Sequence, residues 1–305
     1  MDILMVILPV FFVFGLGYAS YFFFKPDIAG LAQFSVYLLL PFLSFDTFYR
    51  HELSFADGYL ILYSTILALL LVVVVYIAAR LFSYGTEQTC ATILSSVFMN
   101  SGNYGIPIIL LAFGEAGRVT IIFLSVFHGV LQGTIGIYYA VKGGGGGTVG
   151  IKVPLMAVLK MPVIHAIIAG TLFQKLGIHI PENLMLCISM LGNASIPMIM
   201  LILGMQLATI SLAHISFGKM NVAILIKLVI SPLIAWVLTL WMPADTVVKQ
   251  IFILTAGMPT AAGTTLLAIQ FKTDPKFVSG VTFASTLLSI PSIALMLYMV
   301  QRGIF

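Results

Sequence analysis

Residues 100–107 read Asn-Ser-Gly-Asn-Tyr-Gly-Ile-Pro within an otherwise apolar stretch, and this octet is the strongest chemical signal in the chain. Two glycines, two asparagines and a proline at this density cannot continue a regular helix. Pro107 also biases Ile106 towards extended backbone. In hydrocarbon, backbone freed in this way is costly for every unsatisfied group, so the break is tolerable only where protein or a water-filled cavity satisfies it. A second break of the same type reads Ala256-Gly-Met-Pro-Thr-Ala-Ala-Gly-Thr-Thr265. Two broken helices would bring two half-helix N-termini together, and their free N–H groups and positive dipole ends favour an anion. The candidate binding residues are therefore Asn100, Ser101, Asn103, Tyr104, Gly105 and Pro107 on the first break. On the second they are Gly257, Met258, Pro259, Thr260 and Thr264. The competing reading is a pair of kinks for close helix packing; two breaks at equivalent places favour a binding site over it.

A second tier of polar residues has support or coupling roles to fill. Lys227 stands nine residues into an apolar span, where a charge needs a partner, a cavity or a route to the interface. It is either a structural tether or a charge that attracts the anion. Asp46 ends a span close to Arg50 and reads as an interfacial charge or cap, with a cation or proton site as the alternative. His128 and Gln132 share one helix face, as packing partners or as a relay. Asn193 and Ser195 precede Pro197 and either line the cavity or hydrogen-bond between helices. Catalytic patterns are missing: the sequence contains no HExxH, no GxSxG and no intramembrane Asp pair, which argues against an enzyme. Cys90 and Cys187 lie in apolar stretches, are too few for a disulfide framework, and are expected to be buried.

These residues must be positioned by membrane helices. Of 305 residues 61% are hydrophobic and only 8% charged, against about a quarter charged in a soluble domain. Net charge is +4, but the 14 Lys and Arg are scattered in short loops rather than gathered for nucleic acid. Apolar runs predict ten spans, near 3–24, 28–48, 57–82, 87–113, 117–141, 154–176, 183–208, 218–241, 246–271 and 276–301. The first span has no basic leader and is too long for a signal peptide, so it should remain as a helix. A run of five glycines, 143–147, marks a flexible linker over 142–153. It separates a first five-helix repeat, 1–141, from a second, 154–305.

With the N-terminus outside, inner loops hold eight Lys and Arg and outer loops five, leaving Lys227 within a span. The bias places both termini outside a cell (inner or plasma) membrane. A shift of 156 residues carries Pro41 onto Pro197 and the first break onto the second. Five spans per half is odd, so the halves insert in opposite senses, giving an all-α transmembrane fold of two inverted repeats with broken, crossing helices four and nine.

At these positions the chain resembles the auxin efflux carrier family, which includes plant PIN-type carriers and bacterial malate or malonate permeases. The matching segments are Asn100 to Pro107 continuing to Gly114, Leu191-Gly-Asn-Ala-Ser-Ile-Pro197 with Gly204, and Gly257 to Ala262 with Ala284 to Ser289. The resemblance implies a scaffold of spans one, two, six and seven and an elevator-like movement carrying a carboxylate. It points to Asn100, Asn103, Gly105, Pro107, Met258 and Pro259 at the crossover. Two departures stand out: the long loop of the plant carriers is absent, and Tyr37 stands before Pro41 where an Asn is often expected.

The resulting expectation is a transporter of a small organic anion, with no cofactor and with Na⁺ or H⁺ coupling left open. The alternatives are a sodium-coupled symporter of another solute and a membrane sensor without turnover. The expected partners are the anion, membrane lipid and a second copy of the chain, without nucleic acid.

Overall fold

The computed structural model describes residues 3–51, 55–146, 156, 158–209 and 217–304, and their regular elements are helical throughout. The helices are α1 (Ile3–Phe24), α2 (Ile28–Arg50), α3 (Phe55–Leu81), α4 (Thr86–Ser96), α5 (Ser101–Phe113) and α6 (Glu115–Gly143). There follow α7 (Pro162–Lys175), α8 (Glu182–Ala208), α9 (Gly218–Thr239), α10 (Thr246–Ala256), α11 (Ala262–Phe271) and α12 (Pro275–Gln301). Local chemistry sets several boundaries. The Asp27 carboxylate accepts from the Ala29 N–H to cap α2. Gly114, at φ +60°, turns the chain between α5 and α6 in a conformation that suits glycine.

Among the described residues six helices, α2, α3, α6, α8, α9 and α12, are long and apolar enough to cross a membrane by length and composition, and Leu8–Phe24, Ser101–Phe113, Thr246–Ala256 and Ala262–Phe271 are shorter apolar helical segments. The two spans expected to be broken are the ones that divide. The two broken ones divide into α4 with α5 and α10 with α11, each half shorter than a bilayer crossing. Large apolar side chains such as Leu16, Phe23, Leu81 and Leu266 point outward, as they must where the solvent is lipid. The chain is an integral membrane protein.

The helices pack in two groups. In the first, α1 runs along α8, and α2 packs on both α7 and α8. Glycines make these approaches possible. A Cβ on Gly192 would lie 2.8 Å from Leu43 Cα, and one on Gly170 would lie 2.8 Å from the Phe45 carbonyl. Gly17 and Gly204 meet the Leu201 and Phe14 carbonyls in the same manner. Small residues at helix contacts are the membrane solution to close packing, since lipid supplies no hydrophobic drive. In the second group α3, α4, α6, α9, α10, α11 and α12 surround the two breaks.

Four π-helical turns, Ser35–Leu39, Ser101–Gly105, Gln132–Gly136 and Ile226–Ile230, interrupt α-helical geometry among the described residues. Three of them precede Pro41, Pro107 and Pro232 by two residues. Proline removes an N–H and crowds the preceding turn, and a widened turn accommodates both.

Two expectations change here. Coil was expected from Lys142 onward, but α6 continues through Gly143. Gly143 lies against Cys90 and Thr273, and Gly144 against the Phe271 carbonyl, so these glycines serve close packing. The rest of the linker, from 147 to 153, lies outside the described residues. Cys90 is buried as expected, but Cys187 is exposed on the outer face of α8, since a thiol can face lipid as well as a core.

Candidate functional site at the helix crossover

The two breaks satisfy one another. The Asn100 N–H donates to the Pro259 carbonyl at 2.8 Å and the Ala261 N–H donates to the Phe98 carbonyl at 3.0 Å. Met99 and Thr260 form the antiparallel bridge between them. This reciprocal pair answers the question of where unwound backbone finds partners in hydrocarbon. Met99 stands opposite Thr260, 161 residues on, and the two hydrogen bonds that flank this pair join residues 159 and 163 apart, as antiparallel pairing requires. The helices that follow, α5 and α11, start 161 apart as well. The gapless shift of 156 aligned proline with proline, whereas the backbone pairs by hydrogen bonds.

Hydroxyls from α12 brace the crossing. Ser285 Oγ accepts from the Thr260 N–H at 3.2 Å and donates to Thr260 Oγ1 at 3.2 Å. Thr260 Oγ1 in turn donates to the Ser95 carbonyl. Ser289 Oγ donates to the Tyr104 hydroxyl at 2.7 Å, and the Tyr104 ring lies 5.7 Å from that of Phe14. Thr264 Oγ1 donates to the Ala261 carbonyl at 2.8 Å. A Cβ on Gly105 would stand 2.6 Å from Met258 Sδ, so glycine is needed there for packing. Tyr104, Gly105, Pro107, Gly257, Met258, Pro259, Thr260 and Thr264 are all buried, and they hold the crossing together. Asn103 differs: it is half-buried beside Gly102 and its side chain has no hydrogen-bond partner among the described residues.

One helix face touches both breaks. His128 Nδ1 lies 3.0 Å from Ser101 Oγ on the first. One turn on, the Gln132 amide lies against Gly263 at the start of α11 on the second. Lys227 sits in the π turn of α9, four residues before Ser231, whose hydroxyl donates to the Ala256 carbonyl at 2.8 Å where α10 ends. Its side chain is fully buried. Snorkelling to the headgroups is therefore ruled out for Lys227 by its position. Three buried nitrogens here lack a hydrogen-bond partner: Asn100 Nδ2, His128 Nε2 and Lys227 Nζ. A cavity of about 10 Å³ whose lining includes Ser64, Phe98, Met99 and Leu131 lies against His128. It has room for about one water molecule.

The other predicted support residues lie elsewhere. Asp46 is buried and accepts from Arg50 Nε at 2.7 Å and Ser189 Oγ at 2.9 Å, which ties α2 to α8. Asn193 does not face the crossover; its side-chain oxygen accepts from Arg118 Nη2 at 2.7 Å. Ser195 donates to the Gly192 carbonyl within its own helix. Sequence reasoning missed Ser285 and Ser289 as members of the site. Their signal was the spacing Thr282, Ser285, Thr286, Ser289, which lines one helix face. Among the described residues no three His, Cys, Asp or Glu side chains gather as a metal site would require.

The family profile described as Membrane transport protein matches residues 2–297. An "Uncharacterized transporter" of Methanothermobacter thermautotrophicus is 28% identical over 274 residues, 89% of this chain and 88% of its own. Another, from Methanocaldococcus jannaschii, is 28% identical over 222 residues, 71% of this chain and 70% of its own. A "Putative malonate transporter" of Rhizobium meliloti is 26% identical over 283 residues, 90% of this chain and 87% of its own. The chain belongs to the membrane transport protein family, the auxin efflux carrier family that its break motifs resemble.

Proposed function

We propose that this transporter carries a small carboxylate, with a short dicarboxylate such as malonate as the leading substrate, by elevator-type alternating access. The observation that carries the reading is the trio of buried, unpartnered nitrogens at the crossover, Asn100 Nδ2, His128 Nε2 and Lys227 Nζ. A buried cation without a counter-charge is expensive, and neither break contains an acidic residue to neutralise it. An anion entering beside Asn103 would supply the missing charge and accept from the half-helix N-termini of α5 and α11. The name of the Rhizobium relative supports a dicarboxylate.

In this reading the chain makes ten passes as two inverted repeats, residues 1–141 and 154–305, joined by 142–153. The glycine-packed group of α1, α2, α7 and α8 is the fixed scaffold, and the group bearing the crossover slides against it. Both termini lie outside the cell membrane, in keeping with the eight-to-five bias of Lys and Arg. The scaffold is the face through which a second copy would join.

Uptake of labelled malonate, malate and indole-3-acetate into proteoliposomes, with and without Na⁺ and pH gradients, tests the proposal. Saturable uptake of one acid that drops about tenfold or more in Asn103→Ala, a loss of about 1.4 kcal/mol in transition-state binding, is the expected result. Bound acid without flux would favour a sensor, and flux of a neutral solute alone would refute the anion reading.

A further inference from the structure

At one end of the crossover bundle, away from the breaks, the structure holds a second cavity of about 400 Å³. Its walls come from the end of α3 (Tyr76, Ala79, Arg80), the turn at Tyr84, the first turns of α4 (Thr86, Thr89, Cys90) and Lys142 of α6. The cavity therefore contains two cations and no carboxylate. The Arg80 side chain has no hydrogen-bond or ion-pair partner among the described residues. Lys142 Nζ is held by neutral groups: it donates to the Tyr76 hydroxyl at 3.2 Å and stands 5.7–5.9 Å from the ring centres of Tyr76, Tyr138 and Tyr139. A third cation, Lys219 of α9, lies 5.7 Å over the Tyr84 ring at the rim. Glu87 lies in the same turn of α4 but is exposed and does not line the cavity. The N-terminus of α4 adds its unpaired amides, because Gly85 caps it without a side-chain bond.

We infer that this cavity binds a phosphate-bearing anion, and that an anionic phospholipid headgroup is its natural source. Two positive side chains, a third at the rim and phenolic hydroxyls around a helix N-terminus match the donor needs of a phosphate. The site lies where two spanning helices, α3 and α6, end, which would set it at headgroup depth, and basic pockets between helix ends are the usual headgroup sites. The volume suits a headgroup and leaves the acyl chains to the surrounding lipid. Because α3, α4 and α6 all belong to the bundle that carries the crossover, the lipid would hold that bundle at one membrane face. The inference is independent of which solute crosses at the breaks.

The test uses the full chain in detergent, with thermal unfolding as the readout. Short-chain phosphatidylglycerol, short-chain phosphatidylcholine and inorganic phosphate are titrated separately. Phosphatidylglycerol should stabilise the wild type saturably while phosphatidylcholine does not. Arg80→Gln and Lys142→Gln should each weaken its apparent affinity about fivefold, as expected for loss of one surface charge. Lys142→Arg should restore most of it, which guards against a merely misfolded variant. Lys272→Gln, outside the cavity, should match the wild type. Saturable stabilisation by inorganic phosphate, with the same dependence on Arg80 and Lys142, would place the source in solution instead of the bilayer. Equal responses in the wild type, Arg80→Gln and Lys142→Gln, or no response to either anion, would overturn the site.

Discussion

The side-chain amide of Gln132 rests on Gly263, so that any side chain at residue 263 would displace it. One turn earlier on α6, His128 meets Ser101, so a single helix face reports on both arms of the crossing. Gly263→Ala should therefore cost little stability, since the far end of a flexible glutamine can swing away. It should lower uptake of the transported acid severalfold by moving that amide. Gln132→Ala alone should also lower uptake, and the double variant should be no worse than Gln132→Ala. A double-mutant cycle on uptake checks this coupling; additive losses would mean that the two residues act separately.

Gly105 presents the opposite case. Its missing Cβ leaves room for Met258 Sδ, which would otherwise stand 2.6 Å away with Ile121 close behind. Both residues are buried at the centre of the crossing, and overpacking of this kind costs about 1–3 kcal/mol. Gly105→Ala should lower the unfolding temperature measured in detergent. Met258→Ala in the same chain should recover part of the loss by removing the sulfur that the new methyl strikes.

The helix breaks around this candidate site were legible in the sequence. The two breaks announce themselves because Asn, Gly and Pro cannot continue a helix, and lipid makes the interruption conspicuous. The buried position of Lys227 was legible for the same reason. The partners were not. That Thr260 is braced by Ser285 and Ser95, or that Asn193 serves Arg118, depends on long-range packing that no local pattern carries. Nor was the pairing across the crossing: the shift of 156 residues carries proline onto proline, whereas Met99 stands opposite Thr260, 161 residues on.

Arg118 joins the two helix groups. It starts α6, donates to Glu115 beside it at 2.7 Å, and reaches Asn193 on α8 at 2.7 Å. If the crossover bundle slides, this contact must break in each cycle. Asn193→Asp would turn it into an ion pair worth about 0.2–1 kcal/mol at an exposed site. The expected outcome is a slightly higher unfolding temperature with slower uptake at saturating substrate. Faster uptake in Asn193→Asp would mean that the contact assists the movement instead of restraining it.

Lys227 gives the sharpest separation between stability and function. Its amine is fully buried and lacks a hydrogen-bond partner among the described residues, so a charge on it has no compensation in the substrate-free protein. Replacing it by methionine keeps the length and removes the charge. By analogy with buried ion groups exchanged for apolar ones, stability should rise by about 1–4 kcal/mol. The same change removes the positive charge that an anion would meet at the crossover, so malonate uptake should be lost. Ligand response separates the two causes. Malonate should raise the unfolding temperature of the wild type, because its binding neutralises the buried cation and stabilises the folded state by mass action. Lys227→Met should begin from a higher temperature and show no shift with malonate. If Lys227 were instead a structural tether, the methionine variant would unfold earlier than the wild type, and what remained folded would still respond to the acid.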